Sequence, residues 1–161
     1  KLASEKLREG PLIDELKKDT NLALIAPRVN YPTGELQATC RKNPTFLELF
    51  YRRFRIKKEF TQLQEYRDRD FTKALYPDFV HGCFMLFKTN DFVNVGGFDK
   101  RYFLYMEDAD ICRKIKYSGK EIVYHPSVQI THLHGRGSAK KIKLLFHHLA
   151  SAIQYFQKWN K

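Results

Sequence analysis

Residues 107 to 110 read Glu-Asp-Ala-Asp, placing Glu107, Asp108 and Asp110 within a single helical turn of one another. They stand where an aromatic run, Tyr102-Phe103-Leu104-Tyr105, gives way to a helical pattern. Acids in the first turn of a helix interact well with its free N–H groups and its dipole, so capping accounts for them. Catalysis accounts for them equally. The flanking Gly96-Gly97-Phe98 and the aromatic run would press the carboxylates against an apolar wall. Such a wall raises a carboxylate's pKa toward values at which it takes a proton from a hydroxyl.

A second set of groups lies downstream. His132 and His134 alternate along a strand pattern and so share a side, just before Gly-Arg-Gly-Ser and a helix start. That arrangement suits a phosphate or part of a metal site; two half-exposed strand histidines are the plainer account. Asp68-Arg69-Asp70 and Asp108-Ala109-Asp110 both spell the acid-x-acid pattern that holds a divalent ion on a diphosphate. Around Asp68 and Asp70, flanking arginines favour solvated ion pairs instead. Arg52, Arg53, Arg55, Lys57 and Lys58 are interleaved with Phe54, Ile56 and Phe60. Such a mixture can be a solvated surface, a membrane-interface contact or a base-stacking surface.

Those residues need a scaffold, and the chain is long enough to build one. Its 161 residues are 43% hydrophobic and 14% aromatic, which excludes a disordered chain and fits one domain spanning 1–161. A net charge of +11 points to anionic partners: nucleic acid, nucleotide phosphates or an acidic membrane. Cys40, Cys83 and Cys112 are widely spaced and include no paired motif, as expected of free thiols in a reducing compartment. No apolar stretch is long enough to span a bilayer.

The pattern predicts an α/β chain. A helix covers 3–18, LALIAPRV is a buried strand, and NYPTGELQATCRK is a turn followed by a second strand. Pro44 opens a short helix to about Tyr51. Residues 52–78 form a long, variable basic loop or a partly helical excursion, after which FVHGCFMLFKT returns to strand. Gly82 within that strand marks a close backbone approach. A helical turn closed by Gly96 and Gly97 leads to the helix that follows Tyr105 and ends near Ser118, with Ala109, Cys112 and Ile115 on one side. EIVYHPSVQITHLHG gives two short strands. From Ser138, an amphipathic helix over 138–160 carries Ile142, Leu145, Phe146, Leu149, Ile153 and Phe156 on one stripe.

In order and spacing, PRVNYPTGELQATCRKNPT, HGCFMLFKTNDFVNVGGFDKRYFLYMEDADICRKI and THLHGRGSAKK resemble the C-terminal, acceptor-side half of a family 2 inverting glycosyltransferase of the bacterial rhamnosyltransferase-like branch. The resemblance implies a partial GT-A fold: a mixed sheet with flanking helices, its nucleotide-binding half missing ahead of Lys1. It implies Asp108 as the general base, with Glu107 and Asp110 orienting the acceptor or holding the helix start. Gly82, Cys83 and Met85 would line the acceptor floor. His132 would meet a metal or the departing diphosphate, with His134 as a substitute, and Arg136, Ser138, Lys140 and Lys141 would meet phosphate oxygens. Gly137 stands where the family often has serine.

The implied cofactor is a divalent ion, manganese or magnesium, shared with the missing half. The implied partners are a nucleotide-sugar donor and a glycan or polyprenyl-diphosphate-linked acceptor. A polysaccharide or lipid-linked oligosaccharide would be extended by a cytoplasmic protein, peripheral at the inner face of the cell membrane. A fragment of this kind is expected to have little transferase activity alone. A non-catalytic nucleic-acid-binding module is the alternative, but no helix-turn-helix or RNP-like word supports it, so no nucleic acid is expected. A catalytically dead carbohydrate-binding module is the other.

Overall fold

The computed structural model describes residues 10–133 and 142–159. Helix α1 (Gly10–Lys18) leads into the long strand β1 (Leu22–Asn30). Strand β2 (Cys40–Arg41), helices α2 (Phe46–Phe54) and α3 (Lys58–Gln64), and strands β3 (Phe79–Val80) and β4 (Leu86–Phe87) follow. The chain continues through α4 (Thr89–Asn94), α5 (Glu107–Tyr117), β5 (Glu121–Thr131) and α6 (Ile142–Trp159).

β1 is the central strand of a mixed sheet ordered β4-β1-β5, antiparallel to β4 and parallel to β5. Both of its faces are covered, which is why LALIAPRV reads as an unbroken apolar run. On one face Leu12 and Leu16 of α1 pack with Leu22, Ile25, Val123 and Val128. On the other, Ala109, Cys112 and Ile115 of α5 pack beneath Tyr155 and Phe156 of α6, as the α5 periodicity predicts. β2 and β3 form a separate two-stranded sheet. The expected mixed sheet with flanking helices is therefore present.

Several local expectations are corrected. Pro44 does not open α2: Thr45 is its N-cap, its hydroxyl accepting the Glu48 N–H at 3.1 Å in the Thr-x-x-Glu pattern. Of the two readings of 52–78, the partly helical excursion is the one observed: α2 runs on to Phe54 and α3 follows, with the remainder irregular. Arg55 and Lys57 adopt positive φ (55° and 51°) to make the corner between them. FVHGCFMLFKT is broken into β3 and β4 around Gly82. The segment with Pro126 is one strand, because a register shift beyond Pro27 absorbs the proline without ending β5. The expected apolar stripe on the last helix divides. Phe156 is buried, whereas Ile142, Phe146, Leu149 and Ile153 face outward, and Ser151, Ala152 and Tyr155 take the inner side.

The inner side of α6 is fixed by one buried acid. Asp110 is fully enclosed; Lys158 approaches it to 2.8 Å, the Trp159 indole N–H donates at 2.8 Å, and the Tyr102 hydroxyl donates at 3.2 Å. Asp110 is thus spent inside the fold and is not placed to orient an acceptor, one of the two roles the resemblance implies for it, the other being to hold the helix start. Removing one member of a buried ion pair strands the other, so Asp110→Ala is expected to cost about 3 kcal/mol of stability. Asp110→Asn, which keeps an acceptor for Trp159, should cost less. Urea denaturation of the two variants checks both the loss and its order.

Candidate functional site

Asp108 faces away from the Asp110 cluster. Its Oδ2 accepts the Gly82 N–H at 3.1 Å and its Oδ1 the Ala109 N–H at 2.8 Å. The predicted backbone approach at Gly82 is its N–H bond to Asp108; a Cβ there would lie 3.6 Å from the Asp108 Cβ, an ordinary contact. Met106, the N-cap of α5, offers no side-chain cap, and the Asp108 bond to the Ala109 N–H satisfies one free donor of the first turn. Tyr105 and Met106, directly ahead of Glu107, both hold φ of 67°, a conformation disfavoured for residues with side chains. Such strain persists only where the surroundings enforce it.

Burial raises the Asp108 pKa above the ordinary aspartate value; N–H bonds from Gly82 and Ala109 and the charge of Arg52 oppose the rise without cancelling it. Glu107 is likewise pushed up, by burial and then by the Asp108 charge, and its Oε2 is buried with no hydrogen-bond partner among the described residues. These adjacent acids are supplied mainly with backbone donors. The geometry is that of a carboxylate held in place yet poised to accept a proton.

Gln37 was not visible as a site residue in the sequence. His132 Nδ1 lies 2.9 Å from Gln37 Oε1, and the His132 N–H donates to Asn30 O. Two residues beyond Gln37, the carbonyl of Thr39 accepts the His81 N–H at 3.0 Å, and the next residue is Gly82. The stretch 37–39 therefore contacts His132 at Gln37 and, at Thr39, the backbone of His81, the neighbour of Gly82.

The rest of the predicted set is distributed. Cys83 and Met85 are partly buried next to Gly82, and burial pushes the Cys83 thiol up to about 11, so it stays protonated. Arg52 is not a loop residue: it lies on α2, 3.0 Å from Glu48, and its charge reaches both Asp108 and His148. His148 stacks near Tyr105 with ring centroids 4.8 Å apart, and burial drives its pKa down to about 4. Asp70 is occupied by its own turn, accepting the Thr72 N–H and hydroxyl. His134, Arg136, Ser138, Lys140 and Lys141 lie outside the described residues. Among the described residues no group of three or more His, Cys, Asp or Glu side chains could hold a metal ion. The expected divalent ion does not fit these residues alone. An open cavity of about 370 Å³ lined by Arg28, Thr72, His125, Pro126, Ser127 and Gln129 contains none of the predicted residues.

Comparisons with known proteins bear on this constellation. A family model described as the N-terminal domain of galactosyltransferase matches residues 68–136, which contain Gly82, the acid triplet and His132. The rhamnosyltransferase WbbL of Escherichia coli is 35% identical over 79 residues, covering 48% of this chain and 30% of that protein. An N-acetylglucosaminyl-diphospho-decaprenol L-rhamnosyltransferase of Mycobacterium tuberculosis is 27% identical over 149 residues, covering 88% of this chain and 48% of that protein. The chain thus spans half or less of the length of these curated relatives.

The raised Asp108 pKa has a consequence for stability. Below about 4, the ordinary aspartate pKa, the carboxyl is protonated in folded and unfolded chains alike. As pH rises through the higher folded pKa, the folded carboxyl must ionise in a site that disfavours its charge, and stability is lost. Asp108→Asn cannot ionise. It is expected to melt above the wild type near neutral pH and to lose that margin as pH falls toward about 4. Paired melting curves across that range check it; a margin that does not change with pH would deny the buried charge.

Proposed function

As a relative of the rhamnosyltransferase-like glycosyltransferases of family 2, this chain supplies, we infer, the acceptor side of an enzyme that moves a sugar from a nucleoside-diphosphate donor to a hydroxyl. The single observation that carries this reading is the Asp108 carboxylate. It is held by the Gly82 and Ala109 N–H groups, lies beside a buried Glu107 oxygen, and has its pKa raised by burial.

In the proposed step an acceptor hydroxyl lies against Asp108 and attacks the anomeric carbon of the donor sugar. As the new C–O bond forms, the hydroxyl proton passes to Asp108 and the bond to the diphosphate breaks on the opposite face, giving inversion. The nucleoside diphosphate leaves with the electron pair. Asp108 needs to be ionised before attack yet basic enough to hold the proton, a balance that a raised pKa favours. Glu107 fits an acceptor-orienting role through an oxygen with no partner among the described residues, and Gly82, Cys83 and Met85 fit the floor beneath it. His132, whose Nδ1 lies against Gln37 Oε1, is proposed to meet the leaving diphosphate; Arg136, Ser138, Lys140, Lys141 and His134 are proposed for the same task by resemblance alone. A manganese or magnesium ion would draw most of its ligands from outside the described residues, and no step here passes through it.

The Mycobacterium tuberculosis relative is named for an acceptor carried on a decaprenyl diphosphate. A lipid-linked oligosaccharide or a growing polysaccharide is therefore the acceptor class proposed for this chain, with peripheral contact at an anionic membrane. No helix among the described residues is long and apolar enough to cross a membrane.

With the donor-binding half present, Asp108→Asn is expected to reduce transfer about 10²- to 10⁴-fold while nucleotide-sugar binding stays near that of the wild type. Transfer at close to the original rate would remove Asp108 from the role of base. A melting panel of the chain with UDP, dTDP and GDP, each with manganese or magnesium, tests the donor side. A metal-dependent rise with one nucleotide, diminished in His132→Ala, is the expected result if His132 meets the diphosphate.

A further inference from the structure

α2 and α6 share an apolar outer face that the fold leaves uncovered. At 3.6 residues per turn Phe46, Leu47, Phe50 and Phe54 lie along one side of α2, and Ile142, Phe146, Leu149 and Ile153 along one side of α6. All eight are at least half exposed, from 51% at Leu149 to 74% at Ile142. The two rows are continuous: Phe46 stacks on Phe156 at 3.7 Å between ring centroids, and Ile153 lines the same shallow groove. Scattered apolar side chains on a surface need no account, but two aligned rows on touching helices do.

The rim of this face carries one sign of charge. Arg53 follows the α2 row, and Arg55, Lys57 and Lys58 extend it through the corner into α3, all exposed, with Glu59 the next acid. Positive φ at Arg55 and Lys57 leaves Ile56 exposed between those cations. Lys143 is exposed at the start of α6. Arg52, grouped with these residues in the sequence, is not part of the rim, since it turns inward to Glu48. Phenylalanines and branched aliphatics bordered by arginine and lysine match the acyl boundary and the anionic headgroups of a bilayer at once. A second protein chain could cover the apolar rows, but an acidic lipid surface also answers the cations.

We propose that the α2–α6 face docks this protein on an anionic lipid bilayer, with Phe50, Phe54, Phe146 and Leu149 entering the interface and Arg53, Arg55, Lys57 and Lys58 on the headgroups. This contact gives a location to the membrane association in the reading above, and its test requires neither donor nor acceptor. Sedimentation with vesicles of phosphatidylglycerol and phosphatidylethanolamine, against vesicles of phosphatidylcholine, is the measurement. The wild type is expected to prefer the anionic vesicles. Phe50→Ser combined with Phe146→Ser should weaken that binding about tenfold or more while the chain still melts cooperatively, because both side chains are more than half exposed. Arg53→Gln, Lys57→Gln and Lys58→Gln together should weaken it about tenfold or more and abolish the preference for anionic lipid. Asp108→Asn should bind like the wild type, so a failed transfer assay and a failed docking surface are separately visible. Vesicle binding unchanged by the phenylalanine pair, equal binding to both vesicle types, or no vesicle binding with a concentration-dependent dimer in sedimentation velocity would each overturn the bilayer contact.

Discussion

The burial of Asp110 is the constraint on which the site depends. A helix turns about 100° per residue, so Asp108 and Asp110 point about 200° apart around α5. Enclosing Asp110 between Tyr102, Lys158 and Trp159 therefore turns Asp108 to the opposite side, toward Gly82. The lock is itself reinforced. Lys158 also reaches Asp99 at 3.0 Å, and the bond from Arg101 holds Asp99 well below the usual carboxylate range. Asp99 thus stays ionised and shares the cation with Asp110. An ion pair enclosed in this way is a poor source of net stability, but it specifies one rotation of α5 and one seat for α6.

Two aspartates in one short motif have thereby been given different tasks by their surroundings. Asp110 meets a lysine ammonium, an indole and a phenol; Asp108 meets two backbone N–H groups and a more distant guanidinium, and burial dominates its titration. Divergent environments for neighbouring carboxylates are how a fold separates a structural acid from a proton acceptor. The three acids differ residue by residue. None of the acids is the N-cap, one holds the fold together, and one has the environment of a base.

Much of this was legible in the sequence, where local chemistry dictates it. The unbroken apolar run of β1, the α5 side formed by Ala109, Cys112 and Ile115, and the close approach at Gly82 all follow from residue type and period. The orientation of α6 does not. Its sequence is apolar on two sides, and hydrophobicity alone cannot say which side is inner. Lys158 and Trp159 decide it by seating on Asp110, and Ser151 follows by donating its hydroxyl to Leu104 O at 2.7 Å. Polar partners far apart in sequence thus override the stronger apolar stripe. The same limit hid Gln37, whose contact with His132 spans most of the chain and whose residue type gives no signal of it.

The polar seating of α6 also links its outer face to the chemistry. The inner side of this helix touches the aromatic approach to α5 repeatedly: Ser151 holds Leu104, His147 lies against Phe103 and His148 against Tyr105, each ring pair 4.8 Å apart. That approach ends in the strained pair Tyr105 and Met106, which sets the direction in which Glu107 and Asp108 leave the loop. A helix resting on a surface through Phe146 and Leu149 would then fix not only the height of the protein but the angle of its base. Under the proposed reaction, the hydroxyl of a lipid-tethered acceptor would reach Asp108 only with both right. On the proposed bilayer contact, the apolar residues that packing left outside would belong to site geometry as much as the acid that packing enclosed.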